Sequence, residues 1–187
     1  MSDVRTLRAL AHPVRIALLE TLSIYGPMTA TEAGEHIGES PTTCSFHLRQ
    51  LARYGFVEEA GGGRGRARPW KMTSIGMSIP HSEDAETEIA AAALGRLFRQ
   101  RQLARYRTWL ERRSTYPERW RAAVGDSELV VWVTVEELEA LNRELLELFL
   151  SRYRGRLTDP ATRPQGALPV ELLMFSYPIA RRTEGPG

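Results

Sequence analysis

Two short helical patterns separated by a very tight turn constrain this 187-residue chain more than any other feature. Thr29 and Glu32 stand at the S/T-x-x-E spacing of a capping box, and Ala30, Ala33 and Ile37 follow on one helical face. Gly38 ends that segment. Ser40 is a good N-cap, and Pro41 suits the first helical position, where a missing N–H costs nothing; a second helix is therefore expected over 41–54. Within it Cys44, Leu48 and Leu51 fall at i, i+4 and i+7, which buries them together. Thr42, Ser45, Phe46, Arg49 and Gln50 are left pointing outward, on a face that is polar and nearly uncharged.

The flanks supply a frame for this pair. Residues 3–10 read as a short helix that stops at His12-Pro13, because proline disfavours helical geometry in the residue before it. Pro13 opens another helix in which Val14, Ala17, Leu18 and Leu22 form the expected buried stripe, closed by Tyr25-Gly26-Pro27. Downstream, residues 56–60 and 68–73 read as two strands around the glycine-rich stretch 61–65, a hairpin with a basic tip.

Between residues 74 and 83 the periodicity lapses, with Pro80 inside the gap, which sets domains of 1–77 and 78–180 and a flexible tail of 181–187. A long helix is expected over 84–113, with Ile89, Ala93, Leu97, Ala104, Tyr106 and Trp109 among its apolar positions. The apolar run 129–133 suits a buried strand, and Thr134 with Glu137 forms a second capping box, ahead of a helix whose buried face carries Leu138, Leu141, Leu145 and Leu148. Residues 170–177 are apolar on both faces, as in a covered strand. Two strands alone make a marginal sheet, so this strand-helix-strand unit is expected to be completed by further strands or by a partner subunit. The fold class is α+β and mainly helical.

Composition narrows the setting. Hydrophobic residues at 42% and charged residues at 26% permit a packed core. Cys44 is alone, so no intramolecular disulfide forms, and no apolar run approaches the roughly 18 residues of a membrane span; a cytoplasmic protein without membrane contact is expected. The net charge of +2 hides an uneven layout, since residues 96–121 carry nine arginines against Glu111 and Glu118. A solvated helix face is the plainer account of that run than a second nucleic-acid surface.

A helix-turn-helix followed by a hairpin is what presents side chains to a major groove and a wing to the phosphates. The candidate DNA-binding residues are Ser40, Pro41, Thr42, Thr43, Ser45, Phe46, His47, Arg49 and Gln50 on the second helix of the pair. Small hydroxyls approach base edges or phosphates, Arg49 pairs with guanine or phosphate, and Phe46 suits a thymine methyl. Arg64, Arg66 and Arg68 on the wing (60–70) complete the set, placed to follow the phosphate backbone or enter a narrow minor groove. The glycine-rich run lacks the Gly-x-x-x-x-Gly-Lys-Ser/Thr pattern of a nucleotide loop, and neither His12 nor His47 has a catalytic partner suggested by spacing. No enzyme activity, cofactor or metal is expected.

At Leu7-Arg8-Ala9-Leu10-Ala11-His12-Pro13-Val14-Arg15, Ser45-x-His47-Leu48-x-x-Leu51 and Gly55-Phe56-Val57-Glu58, the chain resembles the ArsR-like winged-helix regulators over about residues 4–75. Its C-terminal half is similar to a group of actinobacterial regulators that append a helix and a strand-helix-strand unit to this reader. The resemblance implies a homodimer that binds an inverted repeat in double-stranded DNA. Many of these regulators sense metals through cysteine-rich motifs, and the single Cys44 departs from that pattern. The aromatic residues Trp109, Trp120, Trp132 and Tyr153 are candidates for lining a small-molecule effector pocket, with core packing as their default role. A winged-helix protein-interaction module is the rival from another class, and a ligand- or metal-responsive sensor that uses the same DNA reader is the next.

Overall fold

The structure is a computed structural model that describes residues 4–61, 68–74 and 84–179. Four helices come first: α1 (Val4–Leu10), α2 (Pro13–Tyr25), α3 (Ala30–Ile37) and α4 (Pro41–Arg53). A hairpin of β1 (Val57–Glu59) and β2 (Trp70–Met72) follows, antiparallel and in the register Val57↔Met72, Glu58↔Lys71 and Glu59↔Trp70. Met28 bridges to this hairpin, exchanging both backbone hydrogen bonds with Trp70 at 3.0 and 2.7 Å. The helices α5 (Ala85–Arg112), α6 (Glu118–Ala123) and α7 (Val135–Thr158) complete the chain, with single 3₁₀ turns at Arg113–Thr115 and Pro160–Thr162.

Local sequence devices set most of these boundaries. His12 caps α2 by accepting from the Val14 N–H at 3.3 Å. The capping boxes of Thr29 with Glu32 and of Thr134 with Glu137 are both formed, and Asp84 caps α5. Between α3 and α4 the turn closes on one carbonyl, Gly34 O, which accepts from the N–H groups of Gly38 (2.9 Å) and Glu39 (3.1 Å). Gly38 takes the left-handed conformation at φ 73° that glycine adopts without cost.

One hydrophobic core holds the N-terminal half. Ile16, Leu18, Leu19 and Leu22 of α2 meet Ala33 of α3, Cys44, Leu48 and Leu51 of α4, Val57 of β1 and Trp70 of β2. The α4 stripe is buried as the spacing predicts, whereas the buried face of α2 is rotated. Val14 and Ala17 are only half-buried, and Ile16 and Leu19 take the interior, because α2 is covered by α3 and α4 on different sides. The core also extends past the expected boundary at 77/78. Leu7 and Leu10 of α1 pack against the start of α5, and Ala91 and Leu94 join the same cluster.

Beyond Gly95 the picture changes. Residues 129–133 and 170–177, expected as covered strands, form no strand in the single chain, and all of their side chains but that of the half-buried Leu173 lie exposed. Among the described residues the only sheet is β1 with β2. The apolar positions expected to be buried along α5 fare similarly: Ile89, Ala93, Ala104 and Tyr106 are exposed. Periodicity identifies an apolar face in both cases, but within this chain none of the described elements covers it. The flexible tail expected at 181–187 lies outside the described residues.

Gly34 generates the first prediction. A Cβ built there would lie 2.5 Å from the backbone oxygen of Glu39, and backbone cannot move aside cheaply. Gly34→Ala is expected to destabilise the fold by about 1–3 kcal/mol. Glu35→Ala, exposed on the same helix, should stay within about 0.5 kcal/mol of the parent in the same denaturant titration.

Candidate nucleic-acid interface

The surface opposite the buried stripe of α4 is the candidate interface. At 100° per residue Thr42, Ser45, Phe46, Arg49 and Arg53 fall within one narrow arc of that helix. Thr42, Phe46, Arg49 and Arg53 are exposed and Ser45 is partly so. Phe46 is the notable member, since 52% of an aromatic residue stands in solvent with the core only one helical face away. The Arg49 guanidinium folds back along the helix, its Nε donating to Ser45 O at 3.2 Å.

The N-terminal end of α4 is occupied by its own cap. Ser40 Oγ accepts from the Thr43 N–H at 3.0 Å and lies 2.9 Å from Thr43 Oγ1. These two hydroxyls, expected to contact DNA, are thus first a capping device, and Pro41 beside them is exposed. Gln50 is half-buried at the edge of the arc. Arg53, absent from the expected set, lies within it between Thr42 and Phe46; its position eleven residues after Thr42, about three helical turns, is the signal that could have found it.

His47 corrects the expected contact set. It is buried, at 8% exposure, and faces α2 instead of solvent. Arg15 Nε donates to His47 Nδ1 at 3.4 Å, the same guanidinium donates to Ala9 O at the end of α1, and the His12 ring lies 4.5 Å away. An imidazole that accepts at Nδ1 carries its proton on Nε2. Burial first, then the neighbouring His12 and Arg15 charges, hold the His47 pKa below the usual histidine range, against a smaller upward pull from Glu39. The two stretches quoted for the family resemblance meet in this contact: Arg15 belongs to the first and His47 to the second.

Cys44 is fully buried, and burial together with Glu39 pushes its thiol pKa up, so this sulfur is a core atom and not an available thiolate. On the wing, Arg68 pairs with Glu59 across the hairpin base at 2.8 Å, and Lys71 pairs with Glu58 at 3.0 Å. Both pairs are exposed, so little free energy holds them and Arg68 can exchange partners readily. Arg64 and Arg66 lie outside the described residues.

The sequence model of a helix-turn-helix domain matches residues 10–60, a span that takes in α2, α3, α4 and β1. The chain carries a helix-turn-helix domain. α3 and α4 form its helix pair with Gly38 to Ser40 as the turn, and β1 leads from it into the hairpin with β2. Solved structures similar to this helix-turn-helix chain include reduced HlyU from Vibrio cholerae N16961, at 21% identity over 49% of this chain and 83% of that one, with a TM-score of 0.32. Others are NMB1585, a MarR family regulator from Neisseria meningitidis (22% identity, 78% and 82% of the two chains, TM-score 0.37), and the transcriptional regulator Tm0710 from Thermotoga maritima (16%, 81% and 83%, TM-score 0.31). No curated protein matches.

The expected aromatic pocket assembles only in part. A groove of about 420 Å³ is lined by Trp109 and Tyr116 with Arg101, Arg105 and Arg112, beside Glu20 of α2, and Trp120, Trp132 and Tyr153 take no part in it. Glu20 bridges both arginines, at 2.7 Å to Arg101 and 2.6 Å to Arg105, and Arg105 also donates to Glu171. Partners for two of the nine clustered arginines therefore come from distant parts of the sequence.

A pH prediction follows from His47. Its folded pKa is lowered, so the unfolded chain binds the extra proton first as pH falls. Stability is complete above the unfolded value of about 6.5 and declines from there toward the folded pKa. The melting temperature should be flat above about pH 7 and fall as the pH drops below the unfolded value of about 6.5, the free energy of unfolding changing by at most about 1.4 kcal/mol per pH unit from this group. His47→Gln, which keeps an acceptor for Arg15, should flatten the profile in that window and leave the acid limb below about pH 5, where carboxylates titrate, unchanged.

Proposed function

We propose that this chain is a sequence-specific DNA-binding transcriptional regulator that reads an inverted repeat as a homodimer. The observation that carries the reading is the α4 arc: a helix anchored on one face by Cys44, Leu48 and Leu51 offers Thr42, Ser45, Phe46 and Arg49 to solvent on the other. Such a face fits the roughly 12 Å width of a major groove. Arg49 and Arg53 supply charge for guanine or phosphate, the hydroxyls of Thr42 and Ser45 are short enough for close approach, and the exposed ring of Phe46 suits a thymine methyl. Arg64, Arg66 and Arg68 on the wing serve the sugar-phosphate backbone. In a dimer the two recognition helices would enter grooves about 34–36 Å apart, which makes the operator an inverted repeat.

A winged-helix module that binds another protein would use the same exposed Phe46, and a titration separates the two readings. Arg49→Ala is expected to weaken binding to a selected operator by about 1–3 kcal/mol, with circular dichroism unchanged. Replacing Arg64, Arg66 and Arg68 together by alanine should reduce the steepness of log affinity against log salt by about 0.9 for each phosphate that is no longer neutralised. Binding to DNA that is insensitive to both changes would favour the protein-interaction module.

A further inference from the structure

The joint between α2 and α5 carries one arginine more than its carboxylates neutralise. The groove of about 420 Å³ there runs along a single stripe of α5, because Arg101, Arg105, Thr108, Trp109 and Arg112 stand at i, i+4, i+7, i+8 and i+11. Glu20 of α2 lines it beside Arg101 and Arg105. Past the end of α5 the chain turns at Arg113–Thr115, where the Tyr116 N–H donates to Arg113 O at 3.2 Å, and Tyr116 then lines the same groove as Trp109.

Two of the three arginines are committed to the fold. Arg101 donates to Glu20 from Nε at 3.1 Å and from Nη2 at 2.7 Å. Arg105 donates to Glu20 from Nη1 at 2.6 Å, and its Nε and Nη2 both go to Glu171. The four charges of this network cancel. Arg112 is left over: it is exposed, and among the described residues no carboxylate pairs with it. Arg113, with its Cζ 5.6 Å from the centroid of the Trp109 ring, adds positive charge at the same end of the helix. A purely structural joint accounts for Arg101 and Arg105 but gives no reason for a third guanidinium in line with them beside two aromatic residues.

The remaining wall is apolar. Trp109 is half-buried and braced by Tyr106, whose ring lies 6.0 Å away and nearly parallel, at 17°. Its indole, the methyl group of Ala104 and the Tyr116 ring line the groove together. Aromatic surface next to an unpaired guanidinium suits a flat ring that carries an acid: the ring packs on the indole and phenol, and the carboxylate takes the planar fork of the arginine. The volume lies within the roughly 300–1,000 Å³ of small-molecule sites. Charge sets the number of acidic groups. Arg101, Arg105 and Arg112 against Glu20 and Glu171 leave one positive charge, and a second anionic group reaching Arg105 would meet two carboxylates already there.

We propose that this groove binds a planar aromatic monocarboxylate, with the carboxylate on Arg112 and the ring against Trp109 and Tyr116. No lining residue comes from α3 or α4, so the site is separate from the exposed arc of α4 and the proposal does not rest on DNA reading.

The test is calorimetric titration of the full chain, without DNA, at about pH 7.5, where a carboxylate is ionised. The probes are 2-naphthoate, its uncharged isostere 2-naphthamide, and acetate as a carboxylate without a ring. Naphthoate is expected to bind once per chain with a dissociation constant of about 1 mM or tighter, the level that a ligand of its size reaches at ordinary efficiency. The amide and acetate should each bind at least about 10-fold more weakly. Arg112→Gln should weaken naphthoate at least about 10-fold with circular dichroism unchanged, and Arg112→Lys should recover only part of the loss, because it restores the charge without the fork. Trp109→Leu should also weaken naphthoate, whereas Arg119→Gln, exposed and outside the groove, should leave its affinity at the parent value. Equal affinity for the acid and the amide would make the groove merely apolar, and equal affinity for naphthoate and acetate would make it an unselective anion site; either overturns the proposal. Parent-like affinity in Arg112→Gln overturns it too, as does the absence of naphthoate binding to the parent chain at about 10 mM, ten times the expected constant. A chain that failed to read DNA would leave every one of these measurements unaffected.

Discussion

What α4 shows to solvent depends on what it buries. Cys44, Leu48 and Leu51 have at most 1% of their surface exposed, and full burial of a leucine contributes about 1.5–3 kcal/mol. A helix of 13 residues is marginal by itself, so these three side chains decide both that α4 forms and how it is rotated about its axis. Rotation is the quantity that matters for a reading face. A turn of 100° would exchange Phe46 for His47 on the surface and bring a buried imidazole into water.

The rotation is pinned a second time by polar contacts. Arg15 reaches Ala9 O on α1 and His47 Nδ1 on α4 from its place on α2, so one guanidinium joins three helices. Both of these acceptors are neutral, so neither offsets the arginine charge. Burial, then His12, then that charge disfavour a protonated His47. The helix pair and the segment before it therefore share one electrostatic state, and the neutral imidazole is the state compatible with the closed fold.

Elements controlled by neighbours in sequence were legible, and elements controlled by distant neighbours were not. The caps at Thr29, Ser40 and Thr134 need only residues three positions away, and each appears where the spacing placed it. The stripe of α4 was legible because a single direction of the helix faces the core. For α2, which is covered on two sides, the same periodicity picked Val14 and Ala17 in place of Ile16 and Leu19. Gly34 was not legible because its requirement comes from a carbonyl five residues later across a turn, although the Gly34 and Gly38 pair around that turn was visible. His47 was misplaced for the same reason. Its inward direction depends on Arg15, 32 residues earlier, and a signature residue reads alike whether it contacts DNA or holds the helix that does.

The joint between the two halves has a different character from either. Apolar packing joins α1 to the start of α5, but farther along the contacts are polar: Glu20 with Arg101 and Arg105, Arg105 with Glu171, and Arg163 donating to Tyr25 O at 3.2 Å. Burial alone would raise the Glu20 pKa, yet the hydrogen bonds from Arg101 and Arg105 outweigh it and the carboxyl is held below its usual range. The cluster therefore favours an ionised Glu20. Its arginines are more than a third exposed, so each pair is screened and contributes modestly. A joint of this kind fixes direction through geometry without the cost of breaking a core, and it lies on α2, the helix whose opposite end carries Arg15. The helix that meets α5 through Glu20 is therefore the same one that meets His47 of α4 through Arg15.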